Sequence, residues 1–301
     1  MISFIVPFST IEDEKFLNLN EKDTIWSEND SANIVFSTLK TLKNIESLDC
    51  EKEIILVDNS HTWPEVDLPY VKVVKGWQAL PLEELKKVDD YMNHKDVEES
   101  LNNIGCLTMW VSMAFHCGVK QAKGDYIVLQ HNDTFYHDDF INQLVVNLER
   151  DELGYISVDN KKVWISTYLF RKRLLDNYIK NPTFLPEDGG YVNTEFGFAD
   201  AYFFLTRKDF FDNYDIDWNY GDTNHGATIK CLSEGRKFLH LGPYYDNPNF
   251  MEYNEDTLHT YFYKDKPFLS HLKGGFSENK MTSKDYESEL NRYLTGLLNE
   301  Q

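Results

Sequence analysis

Residues 130–134 read Gln-His-Asn-Asp-Thr and follow directly on the apolar run 126–129. A carboxylate and an imidazole two positions apart at a strand end suit two purposes. Asp133 offers an oxygen of the kind that Mg²⁺ and Mn²⁺ prefer, and on an extended chain His131 projects to the same side. Asn132, Asp133 and Thr134 are also ordinary turn residues. Residue types alone leave both readings open. A histidine in the first position is tolerated better by Mn²⁺ than by Mg²⁺. Comparable polar or special residues follow two other apolar runs: Pro7, Phe8 and Ser9 after 2–6, and Asp58, Asn59 and Ser60 after 53–57.

The elements that must carry these residues alternate between strand and helix. ISFIV (2–6), EIILV (53–57), YVKVV (70–74) and DYIVLQ (125–130) have the composition of buried strands. A helix is expected from about Ser31, with Val35, Leu39, Leu42 and Ile45 on one face. A second runs from Leu107 to Gln121, where Gly124 can end it. A third is expected to open at Asp138-Asp139 and run through Leu148. Alternation of this kind indicates an α/β fold with a mostly parallel sheet, and such sheets bind ligands beyond the C-terminal strand ends. The three polar strand ends therefore define an expected crevice.

Residues 79–102 read as a charged surface insertion. The second half is less regular. AYFFL (201–205) and KFLHL (237–241) are strand-like, a helix starts at Lys208-Asp209, another spans 226–234, and 243–270 shows little pattern. A terminal helix carries Tyr286, Leu290, Tyr293, Leu294 and Leu297 on one face. The expected organisation is one domain over 1–245, with a first half 1–135 and a second half 136–245, then a C-terminal extension over 246–301.

Composition bounds the partners. Thirty basic against fifty acidic residues give a formal charge of −20, which argues against nucleic acid and against docking on anionic lipid. Four scattered cysteines without C-x-x-C spacing argue against a zinc ribbon or disulfide framework and suit a reduced compartment. No apolar run reaches the ~20 residues that a membrane helix needs. The expected location is the cytoplasm, in solution or peripheral to a membrane.

The motifs VPF after the first strand, ILVDNS after the second, and AKGDYIVLQHNDT resemble the inverting family 2 glycosyltransferases of GT-A fold. The resemblance is good over residues 1–150 and thinner afterwards. It implies transfer of a sugar from a nucleoside-diphosphate sugar to a glycan or glycolipid hydroxyl, with Mn²⁺ or Mg²⁺ on the leaving diphosphate. It places Asp133 on the family's metal-binding Asp and His131 on the first position of that motif. Asp58 falls on the Asp that contacts the donor base, a job a carboxylate can do by accepting an imide N–H; a turn or helix cap is the other reading. Pro7, Phe8, Ser9, Asn59, Ser60 and Asn132 would flank the same nucleotide. Asn103 and Gly105, with His116-Cys117-Gly118, resemble the family's N-x-G…N-x-G stretch at wider spacing.

Inversion needs a general base for the acceptor hydroxyl. GDTNHGATIKCLSEG (221–235) occupies the place of the family's Glu-Asp pair. Counting back from Gly235 without gaps puts Thr223-Asn224 on that pair, so assigning Asp222 requires a two-residue insertion. An N-cap role for Asp222 stays open, and Asp200 is the reserve base or an acceptor contact. SHLKGGFS (270–277) resembles a late H-x-x-G-G-x-S element, which makes His271 a further metal ligand and Lys273 a phosphate contact. Trp218 is a candidate for stacking on a sugar ring, with core packing as the alternative.

Two hydrolytic or nucleotidyl-transferring alternatives lack their motifs. The early D-x-H and late G-H-x-H of metallophosphoesterases are absent, and 9–13 contains no glycine for a nucleotidyltransferase loop. A catalytically weak or inactive protein that binds nucleotide sugar or glycan remains the principal rival.

Overall fold

The computed structural model describes residues 1–8, 28–59, 63, 68–76, 106–163, 192–213, 224, 227, 231, 236–241, 244–246, 258–263 and 266–272. The expected insertion at 79–102 and the terminal helix lie outside them.

Eleven strands are described: β1 (Ile2–Phe8), β2 (Lys52–Asp58), β3 (Val71–Lys75), β4 (Tyr126–Gln130), β5 (Thr134–Tyr136), β6 (Tyr155–Val163), β7 (Val192–Arg207), β8 (Phe238–Leu241), β9 (Tyr244–Asp246), β10 (Leu258–Tyr263) and β11 (Lys266–Leu272). The helices are α1 (Glu28–Ser47), α2 (Cys106–Gln121), α3 (Ile141–Arg150) and α4 (Lys208–Asn213). Seven strands form one sheet in the order β3-β2-β1-β4-β7-β6-β8. From β3 to β4 every pairing is parallel; β7 is antiparallel to both β4 and β6, and β8 is parallel to β6. This is the mixed, mostly parallel α/β sheet that the alternating pattern predicts. A second, antiparallel sheet has the order β5-β11-β10-β9.

Strand alternation sends neighbouring side chains to opposite faces of the large sheet. Phe4, Val6, Phe8, Leu56, Val128, Ile156 and Phe203 share one core with α1 and α3 residues such as Leu42, Ile45 and Leu144. Ile5, Ile55, Val57, Ile127, Leu129 and Phe204 share the other with Phe115 and Val119 of α2 and Phe210 of α4. Burying each such side chain contributes roughly 1.5–3 kcal/mol. The unbroken apolar character of β1, β2 and β4 follows from this cover on both faces. Among the described residues no helix is long and apolar enough to cross a membrane.

Several local expectations are corrected. The stretch 243–270 contains three strands, β9, β10 and most of β11. Their pattern is hidden because the strands are short and lack a regular alternation of apolar and polar residues, as in Tyr244-Tyr245-Asp246 and Tyr261-Phe262-Tyr263. The boundary expected at 245–246 falls inside β9. Asp138-Asp139 precede the third helix, which starts at Ile141; the Asp138 carboxylate instead accepts the Asp139 N–H at 2.7 Å. Asp200 lies within β7, in a strand longer than AYFFL, and not in a loop before it.

Gly124 also has a different job. The α2 helix ends three residues earlier, and a Cβ on Gly124 would stand 2.6 Å from Ser3 Oγ and 2.8 Å from Ser3 N. Its N–H donates to Ser3 Oγ at 2.8 Å and to Glu53 Oε1 at 3.2 Å. The Ala-Lys-Gly before β4 thus lets the chain cross closely under the start of β1.

Candidate active site

The order β3-β2-β1-β4 contains a switch point. The chain runs from β1 outward through β2 and β3, then returns to the other side of β1 as β4. Helices and loops following the strands on either side of such a point diverge, leaving a crevice at the C-terminal ends. Phe8, Asp58 and the turn after Gln130 all stand at those ends.

Side-chain hydrogen bonds fix the turn after β4 more than its own sequence does. The Asn132 carbonyl accepts from Ser37 Oγ at 3.0 Å and from Thr41 Oγ1 at 2.9 Å. The Asn132 carboxamide donates to Thr38 Oγ1 at 2.9 Å, and that hydroxyl donates to the Ile34 carbonyl. One turn farther along α1, Asn44 pairs with the backbone of Tyr136 in both directions, at 3.0 and 2.7 Å. Ser37, Thr38, Thr41 and Asn44 recur at helical spacing, so α1 lays a polar stripe along the edge of β5 that β11 leaves open. The buried face of α1 is therefore not the one expected. Ser37, Thr38, Thr41, Leu42 and Ile45 are fully buried, whereas Val35 and Leu39 are half-buried.

The opposite edge of β5 pairs with β11, in a register that sets His271 against Thr134. That pairing carries His271 across some 130 residues of chain to the turn. The ligand atoms of His131, Asp133 and His271 all lie within 4.8 Å of one another. They converge although 132–133 is a turn and not the extended chain assumed from the sequence. His271 Nε2 stands 3.1 Å from Asp133 Oδ1, yet that oxygen, His131 Nε2 and His271 Nδ1 are sealed from solvent without a hydrogen-bond partner.

Buried polar atoms normally find partners; His131, Asp133 and His271 each keep a sealed, unpartnered side-chain atom and together offer ligand atoms within 4.8 Å of one another, an arrangement that could hold a metal ion. Ligands on one divalent ion sit about 2.0–2.2 Å from it, hence within about 4.4 Å of each other. The three side chains need draw in by only a few tenths of an ångström, so they fit a divalent ion. Burial, with His271 nearby, pushes the His131 pKa down to about 4 against the opposing pull of Asp133. Its imidazole is neutral at pH 7 and keeps a lone pair to offer.

Tyr202 of β7, which sequence reading passed over, completes the wall. Its ring stacks on His271 with centroids 3.4 Å apart and planes 16° from parallel, and it meets His131 edge-on at 5.1 Å. The only sequence signal was its place in AYFFL. The polar stripe of α1 was legible as hydroxyls at i, i+1 and i+4 on an otherwise apolar face.

The remaining expected residues divide clearly. Asp58 is buried, and its Oδ2 accepts the Trp63 N–H at 2.9 Å, the turn-capping role held open beside base recognition. Asn59 is buried, donates its N–H to the Phe8 carbonyl and lies tight against Gly76, where a Cβ would stand 2.0 Å from Asn59 Oδ1. Pro7 and Phe8 are buried within β1, and Phe8 meets the edge of Trp63 at 4.7 Å. Ser9, Ser60, Asn103, Gly105, Trp218, Asp222 and Lys273 lie outside the described residues, as does the side chain of Asp200. Near Asp222, Asn224 is buried with φ 68°, and Ala227 and Cys231 are helical and buried.

No curated protein matches the chain in sequence. Solved structures with a similar course include a mannosyltransferase from Pyrobaculum calidifontis in complex with GDP-Man and Mn²⁺, at 13% identity and TM-score 0.41, covering 79% of this chain and 54% of that one. This chain thus spans about half of that mannosyltransferase. Mouse xyloside xylosyltransferase 1 is 14% identical at TM-score 0.41, covering 80% and 85%. A 4-diphosphocytidyl-2C-methyl-D-erythritol synthase from Anaerococcus prevotii is 10% identical at 0.37, covering 80% and 86%. Likeness this remote does not transfer a substrate. Residues 110–215, however, match the model of glycosyl transferase family 2. That segment holds most of α2, all of β4, the turn bearing His131 and Asp133, and β7 with Tyr202, and it is similar to glycosyl transferase family 2 over that range.

Proposed function

We propose that this protein is a metal-dependent, inverting glycosyltransferase that moves a sugar from a nucleoside-diphosphate donor to a hydroxyl of a glycan or glycolipid. The observation that carries the reading is the meeting of His131, Asp133 and His271 at the switch point of the sheet, with His131 and Asp133 inside the family-matched segment and His271 brought to it by β11. A divalent cation held there would neutralise the diphosphate as it leaves. Asp133 and the two imidazoles fix its place, and Tyr202 holds the His271 ring by stacking. Asp58, with Asn59 and Phe8, stands where a donor base would lie at the neighbouring strand ends. The base would sit across β1 from the diphosphate site.

The acceptor proton needs a carboxylate on the far side of the anomeric carbon. Asp222 is the assigned base and Asp200 the reserve; Trp218 and Lys273 would contact the acceptor or phosphate. The protein would act in the cytoplasm, in solution or at a membrane surface.

Titration with UDP-, GDP- and dTDP-sugars, with and without Mn²⁺, identifies the donor by thermal shift, since a bound donor stabilises the fold in proportion to its affinity. Asp133→Ala is expected to abolish the metal-stimulated part of that binding. Unchanged Mn²⁺-dependent affinity in this variant refutes the assignment. Asp222→Asn is expected to keep donor affinity and lower transfer by orders of magnitude. Donor binding with neither transfer nor donor hydrolysis in the parent protein would favour the non-catalytic reading.

A further inference from the structure

β11 reaches the turn after β4 through a short pairing. Its partner β5 has three residues, which set Leu269 against Tyr136, Ser270 against Phe135 and His271 against Thr134. On its other side β11 is irregular. Tyr261 of β10 pairs with Leu269 but Phe262 with Pro267, so Phe268 is an extra residue, a β-bulge. Successive side chains on a strand point to opposite faces. A slip of one residue would bring Ser270 or Leu272 opposite Thr134 and turn His271 away from His131 and Asp133. Burial of Phe268 and Leu269 does not fix the register by itself, because apolar contact is non-directional.

His137 supplies a directional contact. It follows β5 directly, and its N–H donates to the Phe268 carbonyl at 2.9 Å, at the bulge itself. Its Nε2 shares a hydrogen bond of 2.5 Å with the hydroxyl of Ser270, a fully buried residue beside His271. Burial pushes the His137 pKa down to about 4, so at pH 7 this bond joins two uncharged groups. Backbone and side chain of one residue thus meet β11 at Phe268 and at Ser270, from the face opposite His271. A slip of one residue would put Leu269 or His271 where the hydroxyl now stands and break the side-chain bond.

Resting on the metal reading above, we infer that His137 is a positioning residue: through Ser270 it locks the register of β11 against β5 and so delivers His271 to Asp133 and His131. The lock and the ligand are neighbours on β11 that face opposite ways. One side reads the register and the other uses it.

The test needs no donor and no turnover. Protein freed of metal by chelation is titrated with Mn²⁺, followed by loss of the free-ion electron paramagnetic resonance signal. His137→Phe keeps a ring of similar size and removes the bond to Ser270. It is expected to weaken Mn²⁺ binding about tenfold or more, whereas His137→Gln, with a polar group at similar reach, recovers most of the loss. Because His137 acts through His271, His137→Phe in a His271→Ala background should change Mn²⁺ affinity by less than about twofold. Parent-like Mn²⁺ affinity in His137→Phe, or an equal fold-loss with and without His271, overturns the register lock and leaves the metal site standing. Absence of Mn²⁺ binding in the parent protein, or Mn²⁺ binding unaltered by Asp133→Ala, removes the metal site itself and the inference with it. Ser270→Ala carries the same expectation as His137→Phe and decides the matter if the latter does not fold.

Discussion

Replacing Ser37 with alanine and Thr41 with valine, singly and together, tests whether α1 holds the metal-bearing turn. Both hydroxyls are fully buried and both donate to the Asn132 carbonyl, at 3.0 and 2.9 Å. Thr41→Val keeps the shape of the side chain, and Ser37→Ala removes one oxygen, so neither leaves a sizeable cavity. Each single change deletes one of two hydrogen bonds and leaves the carbonyl with a partner, which costs about 1 kcal/mol. The double change orphans the carbonyl. The penalty for an unsatisfied, largely buried acceptor then adds to the two losses, for a total of about 3 kcal/mol. The cycle should therefore show a coupling of about 1 kcal/mol between two residues that do not bond each other. By urea unfolding this is a lower midpoint with an unchanged slope, and by heating a fall in Tm of roughly 2–3 °C per kcal/mol. His131 and Asp133 flank Asn132, so Mn²⁺ affinity should fall in the double variant although no ligand is touched. Strict additivity together with unchanged Mn²⁺ affinity would refute the reasoning, since the turn would then be holding itself.

Gly124→Ala is expected to destabilise the protein by about 1–3 kcal/mol, because the new Cβ meets backbone atoms of Ser3 and Met1 at 2.8 and 2.9 Å and the sheet must shift; a melting temperature equal to the parent's would show that this crossing is loosely packed. Burial acts to raise the Glu53 pKa, but hydrogen bonds from the Ser3 hydroxyl and the Lys123 and Gly124 N–H groups outweigh it and hold the carboxyl below its ordinary value. Because the folded pKa is depressed, this stabilisation is present above the unfolded value and is lost as pH falls through the folded one. The urea midpoint of the parent should therefore drop more steeply below about pH 4.5 than that of Glu53→Gln, and parallel pH profiles would contradict the linkage.

Much of the first half was legible in the chain itself. The central stretches of β1, β2 and β4 are covered on both faces, so their sequences hold apolar runs whose ends are marked by polar residues, Asp58 and Gln130-His131-Asn132-Asp133. Local composition suffices there because those stretches pack mainly on apolar side chains. The short motif Ala-Lys-Gly was visible too, but its purpose was not. It looked like a helix stop and is a close crossing against Ser3, a contact between residues 121 positions apart.

The second half was harder to read. β9, β10 and β11 are short, and β9 and β10 carry consecutive aromatic residues, so period-two alternation is masked. Asp200 looked like a loop residue because AYFFL resembles a complete strand, whereas β7 runs from Val192 to Arg207. On α1, the apolar residues suggested a face of Val35, Leu39, Leu42 and Ile45; Leu42 and Ile45 are buried as expected, whereas Val35 and Leu39 are half-buried beside buried hydroxyls. A serine or threonine has a place in the core only when a particular carbonyl waits for it, and that partner, Asn132, lies more than 90 positions away.

The sequence by itself determined β1, β2 and β4, where they end, and that Asp133, His131 and His271 were residues worth bringing together. Tertiary structure alone decided that they meet. Pairing of β5 with β11 delivers His271, the polar stripe of α1 sets the turn of His131 and Asp133, and β7 brings the ring of Tyr202 against His271. Hydrogen-bond register and helix rotation are properties of two segments at once. No window along the chain contains both.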